Sequence, residues 1–402
     1  MTYAAPAATH AVQAGDPAGS GAYVLGVDSG GSGLRVTLGR VGEPGPLATT
    51  VCAEPVRTGP GGIDAGHLLD QLLPAARELL ERVPAEARSD ARAGDARAGG
   101  SRADGASAYE VAAVAIGAAG MATLGERLRA ELPGALADAL GVRRVALAAD
   151  AVTAYAGAVG QRPGAVVAGG TGMIALGTDL KEWHRADGWG HLLGDSGGGA
   201  WIGRAGLDAA MRAHDGRRGG SAALLDRLRA VFGPAQTLPG LLYPRSDRPA
   251  VLASFAPEVA ACAGADPVAA GILRQAASHI AEAAAAVCPA PAEPDGEDGG
   301  AGEVALTGGL FRMGEPLIAP LREELARLLP GARVTTPTGD PLTGALRIAR
   351  ALAAGDLRLP RHPTMLFVPL EQETGQRGET AVHDGHRPGD GEKHGRENRL
   401  NS

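Results

Sequence analysis

Two glycine-rich loops, each following an apolar run of strand type, and an aspartate between them constrain this chain more than any other feature. The first loop lies in Val24-Leu25-Gly26-Val27-Asp28-Ser29-Gly30-Gly31-Ser32-Gly33-Leu34-Arg35. The second lies in Val166-Val167-Ala168-Gly169-Gly170-Thr171-Gly172-Met173-Ile174. Between them, Val145-Ala146-Leu147-Ala148-Ala149-Asp150 delivers a carboxylate at the end of a third apolar run. Each run is too short for a helix and is closed by turn residues, so all three read as strands of an α/β fold.

At 402 residues and 45% apolar content the chain suffices for two cores. Only 3% of residues are aromatic, so those cores are built from Ala, Val and Leu. Apolar patterning predicts strands at 23–28, 34–41, 47–53, 111–116, 144–149, 164–168, 173–177, 303–307 and 333–336. It predicts helices at 64–83, 122–139, 151–160, 197–214, 221–230, 249–262, 266–287, 314–329 and 340–354. Two hairpin-like strand groups, each followed by strand–helix alternation, imply a duplicated α/β architecture with a cleft. A leader over 1–20, a low-complexity repeat over 87–108, an acidic glycine-rich insertion over 291–302 and a polar tail over 370–402 lack the apolar residues to bury a face.

A formal charge of −7 without a basic stripe argues against a nucleic-acid partner. Cys52, Cys262 and Cys288 form no zinc-ligand spacing and fit a reducing cytoplasm. The leader lacks the plan of a signal peptide, and no membrane span is expected. His383, His386 and His394 in the tail have no supporting ligand pattern and read as solvated rather than metal-binding.

Gly30, Gly31 and Gly33, with Ser32, let backbone N–H groups approach an anion closely, though Asp-Ser-Gly-Gly-Ser-Gly is also ordinary hairpin chemistry. Gly170, Thr171 and Gly172 offer the same choice plus a hydroxyl. No GxxxxGK[ST] motif occurs, so a Walker-type loop is excluded. Asp150 suits either a helix cap or a general base, and the two roles are compatible. Two backbone cradles and one acid suit phosphoryl transfer, which asks a protein mainly for positioning and charge stabilisation. The run from Asp187 to Gly203 contains Trp189, Gly190, His191, Asp195 and Trp201 among many glycines, a composition that suits a binding loop. Asp195 is suited to accept sugar hydroxyls and a tryptophan to stack on a sugar face. The Thr307-Gly308-Gly309 turn after a strand allows close backbone approach to a nucleoside, or serves only as a tight turn. Asp340-Pro341 has the form of a helix cap followed by a proline at the first helical position, with Gly344 allowing close helix packing.

In its order of motifs the chain resembles the actin/sugar-kinase/Hsp70 ATPase superfamily, and within it the BadF/BadG/BcrA/BcrD-type group that contains N-acetylglucosamine kinases. The most distinctive match is Gly188-Trp189-Gly190-His191-Leu192-Leu193-Gly194-Asp195, followed by Ser196 and Gly197. The resemblance implies two ribonuclease-H-like domains flanking a nucleotide and sugar cleft. These would cover 21–158 completed by 345–368, and 159–344. It implies ATP and Mg²⁺ as cofactors, with Asp28 meeting the magnesium through water. Residues 30–33, 170–172 and 308–309 would face the nucleotide, and Asp150 would act as general base. Asp150, Thr171, Gly172, Trp189, Gly190 and Asp195 would contact a hexose or amino sugar, N-acetylglucosamine first. A homodimer is compatible with the resemblance, as are a protein-directed ATPase and a sugar sensor without catalysis. The chain departs from the family pattern at Gly33, Met173 and Ser196, and the stretch 58–64, with Gly62, lacks an asparagine that in relatives resembles an N-acetyl contact. These departures leave the choice of sugar open.

Overall fold

The computed structural model describes residues 22–30, 33–59, 62–83, 111–121, 125–142, 144–290 and 302–369. The leader, the 87–108 repeat, nearly all of the insertion, the tail, and Gly31 and Ser32 of the first loop lie outside the described residues.

The chain opens with an antiparallel meander of β1 (Tyr23–Gly30), β2 (Gly33–Arg40) and β3 (Ala48–Cys52). A small pair, β4 (Thr58–Gly59) and β5 (Gly62–Ile63), leads into helix α1 (Ala65–Glu81). Asp64 caps that helix by accepting the His67 N–H, which satisfies one of its orphan donors. Strand β6 (Val111–Ala118) then pairs parallel to β1, and α2 (Glu126–Leu140) returns the chain to β7 (Arg144–Ala149), parallel to β6. Helix α3 (Asp150–Ala158) starts directly from the end of β7.

A second meander follows, formed by β8 (Gly164–Gly169), β9 (Met173–Thr178) and β10 (Trp183–Asp187). A helical stretch comes next: α4 (Gly199–His214), α5 (Ala222–Phe232), α6 (Leu238–Leu242), α7 (Arg248–Ala253), α8 (Ala256–Cys262) and α9 (Pro267–Val287). Strand β11 (Glu303–Thr307) pairs parallel to β8, and after α10 (Glu315–Leu328), β12 (Arg333–Thr335) pairs parallel to β11. Helix α11 (Pro341–Ala354) and β13 (Leu366–Phe367) then return to the first sheet, where β13 pairs with β7.

The sheets run β3-β2-β1-β6-β7, extended by β13, and β10-β9-β8-β11-β12. Each therefore has its own strands in the order third, second, first, fourth, fifth, so one topology is used twice. The buried side chains form two clusters. One includes Leu25, Leu34, Leu68 and Tyr155 around the first sheet and takes in Val166, Leu176 and Ala305 of the second; the other includes Ile202, Phe255, Leu273 and Ile280.

Helix α11 joins α3 to the first sheet at unusually short range. A Cβ on Gly344 would lie 1.9 Å from the Thr153 carbonyl oxygen, and one on Gly157 would lie 2.2 Å from that of Asp340. Only hydrogen in place of a side chain permits this crossing. The helix begins as its sequence implies: Asp340 accepts the Thr343 N–H and Pro341 stands at the start.

Several elements differ from the sequence expectation. Strands β4, β5, β10 and β13 and helix α6 are additional, because β10 mixes Trp, His, Arg, Ala and Asp, the other three strands are two residues long and α6 is a helix of five. The helix expected over 249–262 breaks after Ala253, and a new one starts at Ala256 with Pro257 in its first turn, where the missing N–H is not needed. Among the described residues, no helix is long and apolar enough to cross a membrane.

Candidate active site

The parallel strands bring their carboxyl ends to the candidate residues, the region where open α/β sheets bind ligands. In the first sheet these are Asp28 and Gly30 on β1 and Asp150 just after β7. In the second they are Gly169–Gly172 between β8 and β9, and Gly308 after β11.

Asp28 does not stand alone. It pairs directly across the sheet with Arg35 of β2, and its Oδ2 accepts from Arg35 Nη2 at 2.6 Å and Nε at 3.1 Å. Arg35 Nη1 donates to Asp340 Oδ2 at 2.7 Å, so one guanidinium ties the end of β1 to the cap of α11. The Asp340 carboxyl is pushed up by burial but held below the usual range on balance by the Thr343 donors and Arg35. The described glycines of the first loop fall into two kinds. A Cβ on Gly30 would meet open space, whereas Gly33 has φ 124° and a Cβ there would lie 2.3 Å from the Cys52 carbonyl oxygen. No side chain fits at 33, so the turn between β1 and β2 requires glycine there.

The second loop is clamped by the start of α4. Gly199 N–H donates to the Gly170 carbonyl at 2.9 Å and Ala200 N–H to that of Thr171 at 2.8 Å. Gly198 and Gly199 are needed for this approach, since a Cβ on either would lie 2.7 Å from backbone atoms of Gly172 or Gly170. Gly170 and Thr171 are exposed beyond the clamp, and a Cβ on Gly170 would point into open space. Met173, a departure from the family pattern, is buried in the core below the loop.

Asp187 organises the distinctive stretch that follows. Its carboxylate accepts the Asp195 N–H at 2.5 Å and the Ser196 N–H at 2.9 Å. Both Asp187 (φ 60°) and Asp195 (φ 54°) have left-handed backbones, which these bonds and a Gly190 N–H to Asp195 Oδ1 at 3.0 Å hold in place. Asp195 thereby lies against Gly172. Trp189 is 62% exposed, with its ring 4.3 Å from the Arg185 guanidinium. The two tryptophans of the stretch part company here: Trp189 is exposed, whereas Trp201 is half-buried and packs edge-on against His279 of α9.

Asp150 is the first residue of α3, and its Oδ1 accepts the Ala151 N–H at 2.8 Å. Its Oδ2 has no protein donor among the described residues. The residue keeps access to solvent, although protein surrounds it closely enough to desolvate the carboxyl. Desolvation pushes its carboxyl up, Asp28 adds to the rise, and the Ala151 N–H and Arg185 oppose it. Burial likewise raises Asp195, opposed by the Gly190 N–H, His191 and Arg185. The charge of Arg185 thus opposes the rise at both acids, although Arg185 lies on β10, which no apolar periodicity announced.

Gly308 (φ 104°) approaches so closely that a Cβ would lie 2.1 Å from the Gly169 carbonyl oxygen, which seats the turn beside the second loop. Next to it, Gly309, Arg312, Met313, Pro316 and the α8 residues Pro257 and Ala260 line an open pocket of about 440 Å³. That volume is in the range of small-molecule sites. The donor set fits a magnesium–nucleotide: two loops with open approach at Gly30 and Gly170, a carboxylate oxygen at Asp28 Oδ1 without a protein donor among the described residues, and this pocket adjoining Gly308.

A model of the BadF/BadG/BcrA/BcrD ATPase family matches residues 25–349. Over 70 residues, 17% of this chain, the sequence is 43% identical to an N-acetylmuramic acid/N-acetylglucosamine kinase of Clostridium acetobutylicum, and the match spans 22% of that relative's length. The crystal structure of a candidate N-acetylglucosamine kinase from Chromobacterium violaceum superimposes with a TM-score of 0.56 at 28% identity, covering 83% of this chain and 99% of that one. Another from Porphyromonas gingivalis gives 0.54 at 16% identity, over 82% and 98%, and shares the fold. The architecture is that of the actin-like ATPases, two ribonuclease-H-like halves flanking a cleft. By the extent of the family match and the strand-end placement of its motifs, the chain belongs to the BadF/BadG/BcrA/BcrD ATPase family.

Proposed function

We propose that the protein is an ATP-dependent sugar kinase, acting on a hexose or amino sugar with N-acetylglucosamine as first candidate and N-acetylmuramic acid next. The observation that carries this reading is the pair of acids at the cleft. Asp150, after β7, has a carboxylate oxygen without a protein donor among the described residues, and Asp195 is pinned against Gly172, with the charge of Arg185 acting on both. One acid suits proton removal and the other suits hydroxyl recognition. The halves that close on them would be 21–158 with 345–368, and 159–344.

Asp150 Oδ2 takes the proton of the attacking sugar hydroxyl as that oxygen bonds to the terminal phosphorus of ATP and the bond to ADP breaks. Asp195 accepts hydroxyls of the same sugar and fixes its orientation, while the exposed Trp189 ring offers a stacking face. The backbone of residues 170–172 and the first loop steer the phosphates. Magnesium, met through water by Asp28, would neutralise charge on them. Gly308, Gly309 and the adjoining pocket receive the nucleoside.

The test is ADP release by purified protein with Mg·ATP across N-acetylglucosamine, glucosamine, N-acetylmuramic acid, glucose and no sugar. Stimulation by one of these supports the kinase reading and names the substrate class. Hydrolysis that no sugar changes would replace it with a protein-directed ATPase. Nucleotide binding without turnover would replace it with a sensor.

A further inference from the structure

Arg185 stands on the edge strand β10, opposite Leu176 of β9, and its side chain is held at three points. Nε donates to the Asp187 carbonyl at 3.0 Å and Nη2 to the Gly188 carbonyl at 2.5 Å. The guanidinium carbon lies 4.3 Å from the centre of the Trp189 ring. A planar fork held by two acceptors and a ring has little rotamer freedom left, so the loop fixes the cation and the cation fixes the loop.

The two carbonyls belong to residues with φ 60° and 73°, a backbone that Asp187 as a non-glycine residue resists. Asp187 in turn takes the N–H groups of Asp195 and Ser196. The contacts therefore form a chain from Arg185 through Asp187 to Asp195, with Trp189 as a branch.

We propose that Arg185 is a positioning residue: by locking residues 187–189 it holds Asp195 in place, and the positive charge fixed there acts on both Asp150 and Asp195. The inference rests on the sugar-kinase reading. Asp150 is acted on by its own burial, the Ala151 N–H, Asp28 and Arg185, and Arg185 is the side-chain cation opposing the first and third of these. Asp195 is acted on by burial, the Gly190 N–H, Asp187, His191 and Arg185. Loss of the cation leaves Asp150 protonated to higher pH, so the acid limb of activity moves upward. A role confined to packing would lower activity at every pH and leave the limb in place.

The experiment compares wild type with Arg185→Gln and Arg185→Lys. In the free protein, acrylamide quenching of tryptophan fluorescence reads Trp189, since Trp183 and Trp201 are only partly accessible. Arg185→Gln is expected to raise quenching and to shift the acid limb of sugar-dependent kcat/KM upward by about half a pH unit or more, the scale of one lost charge interaction in a partly wet site. Arg185→Lys keeps the charge but not the fork, so its limb stays near that of wild type while its sugar KM rises roughly tenfold. Unchanged quenching in Arg185→Gln, or an unmoved limb, overturns the proposal. A wild type without sugar-dependent turnover overturns the kinase reading instead, and quenching in the free protein then decides the loop-locking role alone.

Discussion

A Cβ placed on Gly172 would lie 2.3 Å from Asp195 Oδ2 and 2.9 Å from its Cγ, so the second glycine loop and the Asp195 carboxylate occupy interlocking space. Gly172→Ala must expel the carboxylate from its place. The expected result is a fall in sugar kcat/KM of about 10²-fold, the scale of a displacement near 1 Å, with nucleotide binding retained. Steady-state kinetics with titration of a fluorescent nucleotide checks both parts; unchanged kcat/KM would mean that Asp195 does not touch the sugar.

Gly344 tests the packing of the two helices beside the cleft. With its Cβ position 1.9 Å from the Thr153 carbonyl oxygen, Gly344→Ala has to push α11 away from α3. The expected loss is about 1–3 kcal/mol in urea unfolding, as for other overpacked sites. A midpoint equal to that of wild type would contradict the close crossing.

Arg35 joins Asp28, whose side chain is 15% exposed, to Asp340 at 48%. Arg35→Met leaves Asp28 without its cation, and after allowance for solvent at Arg35 and Asp340 the expected loss is about 1 kcal/mol. The pH dependence has a definite sign. The Asp340 carboxyl sits below its unfolded value, so its contribution is complete above the ordinary carboxylate range and is lost as the pH falls through the folded value. The loss on acidification should therefore shrink in Arg35→Met. Thermal unfolding of both proteins between neutral and acidic pH checks this.

The loops, the acid after β7 and the Asp340 cap were legible because each combines an apolar run with residues of special backbone or capping chemistry. Gly33 was legible as a loop residue but not as a departure with a cause, because the Cys52 carbonyl that excludes a side chain comes from β3, a strand away. Arg185 and Asp187 carry no such signal in the sequence, for a similar reason. Their partners are backbone atoms of a loop, and β10 has the mixed polarity of an edge strand rather than a clean period. By composition Trp201 belongs with Trp189 to one binding loop, yet it packs on His279 because α4 has already begun at Gly199. Composition marks a segment as unusual, but helix geometry decides which of its side chains face the cleft.

The most direct measurement is turnover of Asp150→Asn with the best sugar, alongside nucleotide binding and the pH profile of wild type. The exchange keeps size and the Ala151 bond while removing the basic oxygen. Turnover is expected to fall by about 10²–10⁴-fold with nucleotide affinity unchanged. Because burial and Asp28 raise the Asp150 carboxyl, the acid limb of the wild-type profile should lie above the ordinary aspartate range. Near-normal turnover in Asp150→Asn, with its acid limb intact, would contradict the assignment of Asp150 as the base.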